Sequence, residues 1–109
     1  MAELTRDQEV AMCILKQLGG RGKLKLLVGA KNVYAIENGL QFKFGLNRRM
    51  NTCLIKLNGK DLYDFELWQI TPKRCVKRYE INDIYDDMLV PIFEEQTGLY
   101  LTLYQTKGS

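Results

Sequence analysis

Two Asn-Gly dipeptides, Asn38-Gly39 and Asn58-Gly59, constrain this chain more than any other feature. Each lies between short runs in which apolar and polar residues alternate. Asn-Gly accepts the positive φ angles of a type I′ turn, whose twist suits two antiparallel strands. After the first dipeptide, Leu40, Phe42, Phe44 and Leu46 point one way and Gln41 and Lys43 the other, while residues 33–36 form the strand before it. Residues 52–57 run into the second dipeptide and 61–70 leave it, with Tyr63, Phe65 and Leu67 on one face. Thr71-Pro72-Lys73-Arg74 then turns the chain into a strand over 75–81. Strands joined by such short turns form an antiparallel meander.

The same period of two extends upstream, where Leu24, Leu26 and Val28 alternate with Lys23, Lys25 and Leu27 and predict a further strand over 24–28. Leu99, Leu101 and Leu103 predict a last short strand that rejoins the sheet. Helices flank the meander. Thr5-Arg6-Asp7-Gln8 fits a capping box, and Val10, Ala11, Ile14, Leu15 and Leu18 recur at helical spacing until Gly19-Gly20 stops them. A second helix is expected from Asn82-Asp83, with Tyr85, Met88, Leu89, Ile92 and Phe93 on its apolar face and Gly98 at its end. Pro91 either kinks it or sits in the first turn of a restarted helix. The expected fold is α+β: one domain over 1–109, an antiparallel five- to six-stranded meander with an N-terminal and a C-terminal helix on one face.

Several chemistries are set aside by composition. The 109 residues include no histidine, which removes the usual general base and the commonest transition-metal ligand. Cys13, Cys53 and Cys75 are odd in number, form no C-x-x-C pair and read as buried small residues of a reducing compartment. No apolar run is long enough to span a membrane, and the acidic-polar N-terminus reads as no signal peptide. The expected site is cytoplasmic. No cofactor or metal is expected, and no enzymatic activity.

The stretch Leu18-Gly19-Gly20-Arg21-Gly22-Lys23-Leu24 looks like a phosphate-binding loop. Leu24, however, stands where that motif needs Ser or Thr for magnesium. The glycines also follow a helix and precede a predicted strand, so no new helix N-terminus faces an anion. What remains is a glycine-rich backbone able to form an anion nest, with Arg21, Lys23, Lys25 and Lys31 beside it. Asp61, Asp64 and Glu66 hint at a magnesium nuclease, but Leu67 and Trp68 stand where a catalytic lysine would follow. Asp83, Asp86 and Asp87 complement a helix dipole.

Charge is the best functional clue. Residues 1–60 carry eleven cations and four acids, a net +7, whereas residues 61–109 carry five and nine, a net −4, which together make the overall +3. Lys23, Lys25, Lys43 and Lys56 take outward positions on predicted strands, with Arg48 and Arg49 on a loop at their edge. Arg21, Lys23, Lys25, Lys31, Lys43, Arg48, Arg49 and Lys56 are therefore the candidate anion-binding residues. Tyr34 and Tyr63 could stack on bases. Lysines on an open sheet face also keep it soluble and blunt its edges.

The segments "QLGG", "GAKN", "NGLQFKF", "LNGKDLYDFE", "IYDDML" and "TGLYLTL", which run from Gln17 to Leu103, resemble a family of small proteins from bacteriophages and other mobile elements of gut bacteria. The resemblance covers nearly the whole chain, and Pro91 departs from the family's pattern. It implies a phage or mobile-element protein made in the bacterial cytoplasm and supplies no catalytic residues. The expected function is that of a non-enzymatic accessory protein binding through its charged surface, with nucleic acid, a host protein or a second copy as candidate partners. The alternative is a counter-defence inhibitor, anti-CRISPR-like, that blocks a host nuclease or sequesters a nucleotide signal.

Overall fold

The computed structural model describes residues 5–45 and 49–99. One open sheet of five antiparallel strands runs in chain order: β1 (Lys31–Ile36), β2 (Gly39–Lys43), β3 (Thr52–Leu57), β4 (Tyr63–Ile70) and β5 (Cys75–Ile84). Among the described residues three helices accompany it: α1 (Arg6–Gln17), α2 (Arg21–Val28) and α3 (Leu89–Thr97), the last preceded by a single 3₁₀ turn, Asp86–Met88. This is the expected α+β meander. Among the described residues no helix is long and apolar enough to cross a membrane. The final strand expected beyond Leu99 lies outside the described residues.

The core occupies one face of the sheet. Leu40 and Phe42 on β2, Cys53 and Ile55 on β3, and Phe65 and Leu67 on β4 are all buried there. Val10, Ala11 and Ile14 of α1 join the same cluster, and Phe93 of α3 sets its ring 6.1 Å from Phe42 and 5.2 Å from Phe44. The Thr5 hydroxyl accepts from the Gln8 N–H while the Gln8 side chain accepts from the Thr5 N–H, so the capping box forms. At the other end of α1 the Gly19 N–H donates to Lys16 O and the Gly20 N–H to Leu15 O. These are the two bonds of a Schellman stop.

The strand expected over 24–28 is a helix instead. Gly20 caps α2, and Leu24 and Val28, four residues apart, are both fully buried. Strand alternation would also have turned Leu26 inward, yet it is 75% exposed. Lys-Leu-Lys-Leu-Leu-Val satisfies either period, and the helix buries Leu24 and Val28 together on one stripe while Leu26 stays in solvent.

Neither Asn-Gly forms the expected turn. Ile36 pairs with Gly39, so the first hairpin's two turn residues are Glu37 and Asn38, and of these only Asn38 has a positive φ, 56°. Gly39 instead opens β2, where its missing side chain lets Ile55 approach: a Cβ would lie 2.1 Å from the Ile55 carbonyl oxygen. In the second hairpin the Asp61 N–H donates to Asn58 O, and Asp61 takes the left-handed position at φ 60°. Asn58 serves through its side chain, whose Oδ1 accepts from the Lys60 and Leu62 N–H groups.

The second helix also starts later than expected. Residues 82–84 extend β5, and Asp83 sits in a bulge at φ 60°. Pro91 then falls in the first turn of α3, where its lack of an N–H costs nothing. Of the cysteines all three are free, but only Cys53 is buried, which pushes its thiol pKa well up; Cys13 and Cys75 are exposed.

Candidate anion-binding end of the sheet

The face away from the helices carries the polar alternates. Pairing aligns them in rows across the strands. One row reads Lys31, Lys43, Thr52, Trp68 and Lys77 from β1 to β5. The next reads Tyr34, Gln41, Leu54, Glu66 and Glu80. A third contains Ile36, Gly39, Lys56 and Asp64.

Antiparallel order then sorts the charges by end. The start of β1, the end of β2, the start of β3, the end of β4 and the start of β5 all lie at one end of the sheet. Lys31, Lys43, Arg49, Lys73, Arg74, Lys77 and Arg78 belong to these segments, and no acid occurs in residues 28–33, 43–53 or 67–79. At the opposite end lie the acids Glu37, Asp61, Asp64 and Asp83, with Lys56 and Lys60 among them. The two basic connections are fastened together at their base. Asn51 Nδ2 donates to Ile70 O at 2.8 Å, and the Ile70 N–H donates to Asn51 Oδ1 at 2.9 Å. The Asn51 N–H also reaches Trp68 O. Thr71 closes the second turn, its hydroxyl accepting from the Arg74 N–H.

Lys31 and Lys43 are directly opposed, and no ion pair holds either among the described residues. Like charges so placed repel. Lys77 is different: it lies 3.2 Å from Glu80 and 3.7 Å from Glu66. Its pKa is raised, chiefly by the hydrogen bond to Glu80, with Glu66 adding to it. Trp68 completes this group. Its indole Nε1 donates to Glu66 Oε1 at 2.7 Å, and Lys77 Nζ lies 5.5 Å from the ring centre. Tyr34 lies in the second row, its hydroxyl accepting from Gln41 Nε2 at 2.8 Å.

The structure thus gathers only part of the candidate set. Lys31, Lys43 and Arg49 belong to the basic end. Lys56 is on the same face but four residues along β3 from Thr52, on the order of 13 Å away at ~3.3 Å per residue. Lys23 and Lys25 are not on a strand: both belong to α2, where the Lys23 stem packs over Gly19. Arg21 opens α2 and its side chain lies outside the described residues, as does Arg48. The glycine stretch joins two helices, so a helix does begin there, contrary to the sequence reading, but no strand precedes it as a phosphate-binding loop requires. Tyr63 pairs with Ile84 on the core side, beside Val10 and Cys13 of α1, and its pKa is raised foremost by burial. Lys73, Arg74 and Trp68 were missed. The signal for them was the alternation of Glu66 and Trp68 against Phe65 and Leu67, which puts Trp68 on the solvent face, and the alternation of turns in a meander.

The acidic residues are engaged elsewhere. Asp64 Oδ1 accepts from Asn58 Nδ2 at 3.0 Å and from the Asp83 N–H at 3.2 Å. Asp83 pairs with Lys60 at 3.0 Å, a hydrogen bond that lowers its pKa, and accepts from Asn58 at 2.7 Å. Among the described residues no group of three His, Cys, Asp or Glu side chains is placed to hold a metal. A shallow apolar cleft between α1 and β1, lined by Met12, Leu15 and Tyr34, holds none of the cations. In comparisons with known proteins, no family model, curated protein or solved structure matches the chain.

Proposed function

We propose that this protein is a non-enzymatic binder of polyanions, nucleic acid above all, and that the basic end of its open sheet face is the contact surface. The opposed Lys31 and Lys43 carry this reading. A protein that needed these lysines only for solubility would gain by separating them or setting a carboxylate between them. A bound phosphate backbone removes their repulsion and releases counterions. Lys73 and Arg74, on the exposed turn at the same end, extend the surface. The family resemblance of the sequence supports a phage or mobile-element setting, in which an accessory protein meets nucleic acid in the bacterial cytoplasm.

Retention of labelled oligonucleotides at two salt concentrations tests the reading. Four cation–phosphate contacts on a single strand predict an affinity loss of about fiftyfold for a fourfold rise in salt. No retention at low salt, or retention indifferent to salt, contradicts it.

A further inference from the structure

We infer that the preferred polyanion is single-stranded nucleic acid, with one base stacked on the Trp68 indole and neighbouring phosphates on Lys43 and Lys31. The inference rests on the polyanion reading above and adds the class of ligand.

Trp68 is a large aromatic ring on the wrong face for the core. The buried cluster occupies the other side of β4, through Phe65 and Leu67. The indole is nevertheless held: its N–H is fixed on Glu66 at 2.7 Å, and Lys77, itself anchored by Glu80 and Glu66, sits over one face of the ring at 5.5 Å from its centre, so a base would stack on the other face. A ring oriented before any ligand arrives loses little freedom on binding. Its place in the fold is as informative as its orientation. Trp68 shares a row with Lys43, separated from it by Thr52, whose side chain is fully buried. Two strand spacings, on the order of 10 Å, part the aromatic ring from Lys43, and a third, making about 14 Å, parts it from Lys31; neither lysine has an ion pair among the described residues.

Stacking surface beside backbone-tracking charge is the combination that single strands use, because their base faces are exposed. A duplex keeps its base faces inside and offers only phosphates. An acidic peptide would use the lysines and leave the ring idle. Tyr34, 48% exposed and held by Gln41 in the adjoining row, stands at the β1 edge and also borders the cleft against α1, so Trp68 is the ring the inference uses.

Trp68 is the chain's only tryptophan, so its fluorescence reports on the site directly. The full chain is titrated at low salt with oligo(dT), an abasic oligomer of equal length, a duplex of equal length and polyglutamate. Oligo(dT) is expected to bind tightest and to quench the fluorescence, and the other three to leave it unchanged. Trp68→Leu is expected to lower oligo(dT) affinity about tenfold or more, to leave abasic affinity unchanged, and to be matched by a Trp68→Phe variant that keeps most of the affinity. Binding without quenching, or equal affinity for the abasic oligomer, overturns base stacking and leaves the polyanion reading standing. Tighter binding of the duplex or of polyglutamate overturns the single-stranded assignment. Absence of binding to all four overturns both.

Discussion

Lys31 on β1 and Lys43 on β2 stand directly opposite each other on the open face of the sheet, and neither is held by an ion pair among the described residues. Their repulsion is a standing cost to the fold. Replacing Lys31 with Gln is therefore expected to stabilise the protein by a few tenths of a kcal/mol, while weakening polyanion binding and lowering its salt slope by ~0.7. Urea unfolding and oligonucleotide titration measure the two effects. A variant that loses both stability and affinity would mean that the lysine has a structural partner instead.

Gly39 has the closest approach of any described glycine. A Cβ there meets the Ile55 carbonyl oxygen at 2.1 Å, and backbone has nowhere to retreat. Gly39→Ala is expected to cost about 2–3 kcal/mol or more, by analogy with overpacked cores. A shift of less than ~0.5 kcal/mol in urea would show that the β2–β3 spacing is looser than described.

Asn51 ties the two basic connections by presenting an amide to both backbone groups of Ile70. Asn51→Ala strands an N–H and a carbonyl, at about 1–3 kcal/mol. Because the tie also sets the loop carrying Arg49 beside the turn carrying Arg74, the variant is expected to bind oligonucleotides more weakly even under conditions where it is folded. Stability loss with unchanged affinity would separate the tie from the site.

Asp83 gives the pH dependence. Its hydrogen bond to Lys60 lowers its pKa in the folded state below the ordinary value of 3.8. The stabilisation is thus complete above that value and disappears as pH falls through the lower, folded one. Asp83→Asn keeps a residue at ease with φ 60° but loses the charge. Wild type is expected to be the more stable near neutrality, with the gap closing as unfolding is followed below pH 3.8. A gap that stays constant through the acid range would remove the ion pair from the account.

Much of this architecture was legible in the amino-acid pattern, and the failures share a cause. The capping box at Thr5, the strand over 52–57 and the inward row of Tyr63, Phe65 and Leu67 are local signals, and all hold. Leu24 to Val28 misled because five residues, Leu-Lys-Leu-Leu-Val, satisfy a period of two or of 3.6, and only burial in the folded chain, of Leu24 and Val28 but not Leu26, decides between them. The turns misled because Gly39 is a glycine for contact with Ile55, a partner sixteen residues away, and not for φ. The proposed contact surface was half visible. Counting charge by chain half found Lys31 and Lys43 but passed over Lys73 and Arg74, which a meander returns to the same end. It also grouped Lys56 with cations that lie at the opposite end.

The central claim is that charge is sorted by the ends of the strands and that one end binds polyanions. Charge reversal at each end tests it most directly, with the same change in net charge. Lys31→Glu/Lys43→Glu is expected to abolish low-salt oligonucleotide binding measured by fluorescence anisotropy, while Lys56→Glu/Lys60→Glu leaves it within about threefold, the small residual being long-range screening. Equal losses from the two double variants would contradict the account, because net charge alone would then explain the binding.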